Sequence, residues 1–299
     1  MLEFSSAVIS VKEKKILDEL DQERMLKAPD KEAAFSVLFD TDLSEIIQED
    51  KNIEVIIEKD LVRLRDMLKK ILQEKEELFF YLFLRFDALN LKAVLKESNL
   101  SFPAIETKER IQRKVRGENI ELNPYITSMI EDIILKNDSS AEIERGVDKA
   151  FFKQKLLLAQ KLNKSLVKFV KTEIDVANIK SLIKGNGFIE GGSLKKKELE
   201  KLVGHQEGEI EQNLSKFLEI FELSHLLEHK KGEVEIDKAL QSFLSDNIFT
   251  KEREIGFGME KILSFFQRKI NAHNNIKLIL FGKEHNISIS EIENNLLPI

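Results

Sequence analysis

A chain without cysteine must draw reactive chemistry from Ser, His, Lys, Asp or Glu, and few of these stand in arrangements that a reaction requires. The nearest approach to a phosphate loop is Gly185-Asn186-Gly187-Phe188-Ile189-Glu190-Gly191-Gly192-Ser193. Gly187 and Gly192 have P-loop spacing, but Ser193 stands where the lysine must be, and a helical pattern precedes the loop instead of a strand. It reads as an interhelical connection. His225 and His229 could share one helix face, yet the residues between them do not form His-Glu-x-x-His, and no third ligand is evident. Ser165 to Lys168 and Ser181 to Lys184 have Ser-x-x-Lys spacing without the partner motifs of that enzyme class. With 53 carboxylates present, any helix face brings two within reach, so no acid/base pair stands out. No catalytic, cofactor or metal site is expected from these patterns.

The elements that would position any site are helices. The first glycine is Gly117, and the prolines are Pro29, Pro103, Pro124 and Pro298, so a long interval lacks breakers. Apolar residues recur at helical period in Ala7, Val8, Val11, Ile16, Leu17 and Leu20, in Leu61, Leu64, Leu68 and Leu72, and in Ile210, Leu214, Phe217, Phe221 and Leu226. Each set is expected to form the inward stripe of an amphipathic helix. The densest apolar run, Leu78 to Leu84, is far short of the roughly 20 residues of a membrane span, so a buried helix is expected there.

Composition bounds the partners. The net charge of −6 and pI of 5.6 argue against a nucleic-acid binder, because phosphate contacts need a surplus of Lys and Arg. The aromatic set of 20 Phe, 2 Tyr and no Trp suits core filling better than base stacking. No secretory leader pattern is seen in MLEFSSAVISVKEKK. Charge is uneven: residues 1 to 60 hold 8 Lys and Arg against 16 Asp and Glu, a net of −8 that exceeds the charge of the whole chain. Basic clusters occur at Arg110, Arg113, Lys114 and Arg116 and at Lys195 to Lys197.

One pattern occurs three times. Its copies run from Phe86-Asp87-Ala88-Leu89-Asn90-Leu91-Lys92, Ile174-Asp175-Val176-Ala177-Asn178-Ile179-Lys180 and Asn271-Ala272-His273-Asn274-Asn275-Ile276-Lys277, starting 88 and 97 residues apart. Asn, an aliphatic residue and Lys recur in register. Gly185 and Gly282 lie seven residues after the second and third Asn, where a helix C-cap would place them. Asn competes with the helix for backbone hydrogen bonds, so its recurrence needs a cause. It is expected at the rim of a helix-helix contact, bonding a neighbouring loop. The spacing implies three helical repeat units, 1–102, 103–192 and 193–299, closing into an all-α, pseudo-symmetric, bowl-like body.

The stretch Phe169-Val170-Lys171-Thr172-Glu173-Ile174-Asp175-Val176-Ala177-Asn178-Ile179-Lys180 resembles the central signature of the C-type subunit of V/A-type ATPases, whose counterpart in the vacuolar enzyme is the d-type subunit. Ile189-Glu190-Gly191-Gly192 is similar to the loop that follows it in that family, where a proline usually stands at the position of Glu190. Asn275 to Lys283 resembles the family's C-terminal Asn-aliphatic-basic helix, and Ala34 to Ile47 its early helix pair. The third copy departs by showing Ile270, Asn271, Ala272 and His273 where acidic residues are usual.

The resemblance implies an all-helical, threefold pseudo-symmetric, funnel-like body that serves as a non-catalytic rotor component without cofactor. It would sit peripherally on the cytoplasmic face of the membrane, between the central-stalk subunits and the membrane rotor ring. Asp87, Asn90, Lys92, Asp175, Asn178, Lys180, Asn275 and Lys277 are the candidate repeat and interface residues, with the three lysines expected to line the socket for the stalk. A freestanding helical adaptor is the alternative reading.

Overall fold

A computed structural model describes residues 2–134, 140–183, 187–197 and 258–299. Among the described residues there is no strand, and twelve α-helices and one 3-10 turn are fully bounded. They are α1 (Leu2–Glu13), α2 (Glu19–Lys27), α3 (Lys31–Ser36), the 3-10 turn Val37–Asp40, α4 (Ser44–Glu49), α5 (Ile53–Ile71), α6 (Glu76–Leu95), α7 (Lys108–Val115), α8 (Pro124–Ile134), α9 (Ser140–Leu162), α10 (Lys164–Ile183), α11 (Met259–Glu284) and α12 (Ile289–Glu293). Packing divides the chain into two compact units, one drawn from Met1–Glu74 and Gln241–Ile299 and the other from Lys75–Leu240. The sequence copies lie in both.

Helix starts follow local chemistry. Asp18 and Asp30 accept from the N–H groups of Asp21 and Ala33 at 2.9 and 2.8 Å, each meeting an orphan donor of the first turn. Asn52 caps α5 through Glu54 N–H at 2.9 Å, and Asn163 caps α10 through Leu166 N–H at 2.7 Å. Acidic residues fill the first turns that follow: Glu3, Glu19 and Asp21, Glu32, Asp40, Glu45 and Glu54. Carboxylates there oppose the positive end of the helix dipole.

In the first unit α11 is the axis, packed by α1, α2, α3 and α12. Leu61, Leu64, Leu68 and Leu72 are buried as their period predicts. The α1 stripe is not. Ala7 and Val11 face solvent and Val8 is half-exposed, while Ser5, Ser6 and Ile9 are buried. Backbone hydrogen bonding reverses the expected face: Ser5 donates to the carbonyl of Ile71 at 2.9 Å, and Ser6 Oγ receives the N–H of Gly258 at 2.9 Å. Leu20, assigned to the same stripe, is also exposed, whereas Ile16 and Leu17, between α1 and α2, are buried as expected.

In the second unit α9 packs against α6, α8 and α10. The run Leu78 to Leu84 lies in α6, and six of its seven residues are buried. The expected C-cap at Gly282 is absent: Gly282 is buried within α11. A Cβ there would stand 2.7 Å from Ile292 Cγ1, so glycine serves the close approach of α12. The helix instead ends one turn later, with Asn286 at φ 54° and Ile287 N–H returning to the Gly282 carbonyl at 2.9 Å. In the first copy the left-handed residue is Glu97, at φ 54°, seven residues after Asn90 and so in register with Gly282, not with Asn286. Gly185 and the 210–226 stripe lie outside the described residues.

Candidate functional site

The repeated Asn residues are clamps on backbone. Asn90 Nδ2 donates to the carbonyl of Phe102 at 2.8 Å while its Oδ1 accepts the N–H of the same residue at 2.8 Å. Asn178 does the same to Ile189, at 2.8 and 2.7 Å. Asn275 does the same to Leu297, at 2.8 Å in both directions. An amide carries one acceptor and one donor side by side, which matches one peptide's N–H and C=O and explains why no carboxylate or lysine replaces it. Asn90 and Asn178 are 0% exposed and Asn275 is 1%. They are therefore interior to the contact and not at its rim.

The aspartates of the first two copies complete the clamp. Asp87 accepts the N–H groups of Ile105 and Glu106 at 3.1 and 2.9 Å, and Asp175 those of Ser193 and Leu194 at 2.9 and 3.1 Å. Both targets lie 18 and 19 residues after the aspartate, and helix resumes at Lys108 and at Lys196, 21 residues after it in each copy. The loops differ by one residue between their clamped ends, Pro103-Ala104 in one and Glu190-Gly191-Gly192 in the other. Gly191 absorbs the extra residue at φ +106°. A Cβ on Gly192 would overlap the Asp175 carboxylate. The glycines of the phosphate-loop lookalike thus serve a loop that wraps a buried side chain. Burial pushes the Asp87 carboxyl up to about 8 against the pull of its two N–H donors, and burial likewise raises that of Asp175.

The third copy substitutes Ala272 for the aspartate. Asn271, one position earlier, donates to the carbonyl of Pro298 at 2.6 Å, so two amides hold the segment at Leu297 and Pro298. Its role was legible only as an irregularity in the repeat.

The lysines at the third element of the pattern point elsewhere. Lys92 pairs with Asp148 of α9 at 2.7 Å, and Lys277 pairs with Glu54 of α5. Lys180 also has an interaction partner. Asp87, Asn90, Asp175, Asn178 and Asn275 therefore share one local geometry, and Lys92 and Lys277 lie outside it. The basic cluster of α7 is likewise engaged: Arg110 meets Glu106 at 2.7 Å and Arg113 meets Glu118 at 2.7 Å.

Sequence reasoning missed a buried ionic cluster in the first unit. Lys269 of α11 bonds Asp42 at 2.5 Å and Asp60 of α5 at 2.8 Å, and His273 Nε2 meets the same Asp60 oxygen at 2.6 Å. Burial alone would raise the Asp60 carboxyl, but the Lys269 ammonium and the imidazole hold it at about 2. Burial lowers His273, leaving it neutral at pH 7, and its Nδ1 is buried without a hydrogen-bond partner. The residues are separated by more than 200 positions, a pairing that no local spacing announces. Among the described residues no three His, Asp or Glu side chains converge as metal ligands. His225 and His229 lie outside the described residues.

These arrangements hold backbone and join helices; none presents a nucleophile beside a base. The family pattern of the ATP synthase (C/AC39) subunit matches residues 5–295. The chain belongs to that family. Among curated proteins no match is found. No helix among the described residues is long and apolar enough to cross a membrane.

Proposed function

We propose that this chain is the non-catalytic coupling component of a V/A-type rotary ATPase. It joins the rotating central stalk of the nucleotide-hydrolysing sector to the membrane rotor ring on the cytoplasmic face, and so serves proton or sodium transport. The family match over residues 5–295 carries the reading. The clamps support it in physical terms. An element that transmits torque must not dissipate it in loose connections, and each clamp pins a loop to a helix through two to four hydrogen bonds from buried side chains. In this reading the three sequence units, 1–102, 103–192 and 193–299, enclose a funnel that receives the stalk tip, with Lys92, Lys180 and Lys277 at its lining.

The test is reconstitution. A rotary complex prepared without this chain should hydrolyse ATP uncoupled from ion movement and regain coupling when the chain is added. Reversal of Lys92, Lys180 and Lys277 to Glu should weaken stalk binding. A chain that stays monodisperse and binds neither stalk nor ring would instead be a freestanding helical adaptor.

A further inference from the structure

The outward face of α1 carries the greasier half of that helix. Phe4 is 65% exposed and Val11 69%, with Ala7 exposed and Val8 half-exposed between them. At helical spacing these four residues fall within an arc of about 100° and run for roughly 10 Å, one heptad of a helix-pairing seam. The opposite face, with Ser5, Ser6 and Ile9, is the one spent on the fold. An apolar stripe turned to water beside a buried face containing two serines is unfavourable in the isolated chain and calls for a cover.

Charge beside the stripe says what kind. Lys12 borders it in the last turn of α1, and Lys14 and Lys15 follow in the turn just beyond the helix; all three are exposed, and among the described residues none has a carboxylate partner. This contrasts with Lys27, Lys31 and Lys59 in the same segment, each of which is ion-paired. The net charge of −6, and of −8 over residues 1 to 60, disfavours approach to an anionic bilayer, whereas a single helix need meet only the stripe and its lysines.

We infer that α1 is a docking surface for one amphipathic helix of a partner protein, whose apolar stripe covers Phe4, Ala7, Val8 and Val11 and whose flanking Asp or Glu side chains meet Lys12, Lys14 and Lys15. Seam residues give contact area, and the flanking charges set register and orientation, as in two-stranded coiled coils.

The experiment uses the full chain in its native cell, with photoreactive benzoylphenylalanine in place of Ala7, and sequences the cross-linked peptide. The adduct should fall in a helical segment with apolar residues at i, i+3 or i+4, and i+7 flanked by carboxylates. The triple reversal K12E/K14E/K15E should lower its yield at least tenfold, and reversal of the partner's carboxylates to lysine should restore it. The pair F4S/V11S should lower the yield similarly with an unchanged melting temperature, since both residues are exposed. A lipid adduct, an adduct lacking flanking carboxylates, one insensitive to charge reversal, or no adduct from the folded chain would each overturn the inference. Incorporation into a rotary ATPase is scored separately by co-purification of its nucleotide-binding sector. A chain that joins that complex without an Ala7 adduct retires the docking surface alone; an adduct of the expected chemistry on a protein outside the complex retains the docking surface and retires the coupling role.

Discussion

Replacing Asn178 by Ala removes one side chain and strands two backbone groups. Asn178 is fully buried, and both its bonds, at 2.8 and 2.7 Å, go to Ile189, itself 7% exposed. After truncation neither the Ile189 N–H nor its carbonyl has a partner or ready access to water. A buried polar group left unpaired costs about 1–3 kcal/mol, so the loss should total about 2–4 kcal/mol, the carbonyl being the more tolerant of the two. At about 2–4 °C per kcal/mol for a body of 150 to 250 residues, the melting temperature should fall by about 5–15 °C. Asn178→Asp should not rescue it. The added oxygen would face the Ile189 carbonyl at the present 2.8 Å position, acceptor against acceptor. Thermal denaturation gives the global value, and hydrogen exchange at the Ile189 amide reports the clamp itself. Asn90→Ala and Asn275→Ala should behave alike, since each strands one peptide in the same way. A melting temperature within about 1 °C of wild type for Asn178→Ala, with Ile189 still protected, would refute the account of the repeat as a backbone clamp.

Other outcomes follow from the same geometry. Gly192→Ala should destabilise by about 1–3 kcal/mol, because the new methyl group overlaps Asp175; combining it with Asp175→Ala should cost less than the sum of the two, measured by urea titration of the double-mutant cycle. Lys269→Met should cost about 3–5 kcal/mol, chiefly by leaving Asp60 buried without its cation, with the partly exposed Asp42 losing the same partner. In the wild type, the Asp60 contribution is present above its unfolded value of 3.8 and is lost as pH falls through about 2. Asp87 has the opposite sign. Its carboxyl is raised to about 8 in the folded chain, so stability should increase as pH falls from about 8 toward 3.8, and Asp87→Asn should flatten that slope in melts recorded from pH 9 to 5.

The helical class was legible because helix breakers are sparse, and the recurrence of Asn was legible because helix interiors disfavour it. What Asn does was only partly legible. A loop partner follows from its chemistry, but full burial and the matched pair of bonds depend on the loop returning across the helix. Gly282 misled because glycine has two uses, a left-handed turn and a close approach; the second applies, set by Ile292 of a later helix. The stripe at Ala7, Val8 and Val11 misled because period identifies a face without saying what lies beneath it, and the serines opposite found backbone partners at Ile71 and Gly258. The cluster of Asp42, Asp60, Lys269 and His273 left no trace in spacing, since its members meet only once α5 and α11 are side by side.

The helix starts of the first 60 residues alter the meaning of their charge. Nine of the sixteen acidic residues there, Glu3, Asp18, Glu19, Asp21, Asp30, Glu32, Asp40, Glu45 and Glu54, stand at a cap or in a first turn, and Asp42 and Asp60 belong to the buried cluster. Cutting a short stretch of chain into several helices multiplies the positions where peptide N–H groups favour a carboxylate, so the negative excess tracks the number of helix beginnings and not the sign of a ligand. Net charge summed along this segment would point a search toward basic partners, whereas the exposed lysines at the end of α1, without a carboxylate partner among the described residues, point it toward acidic ones.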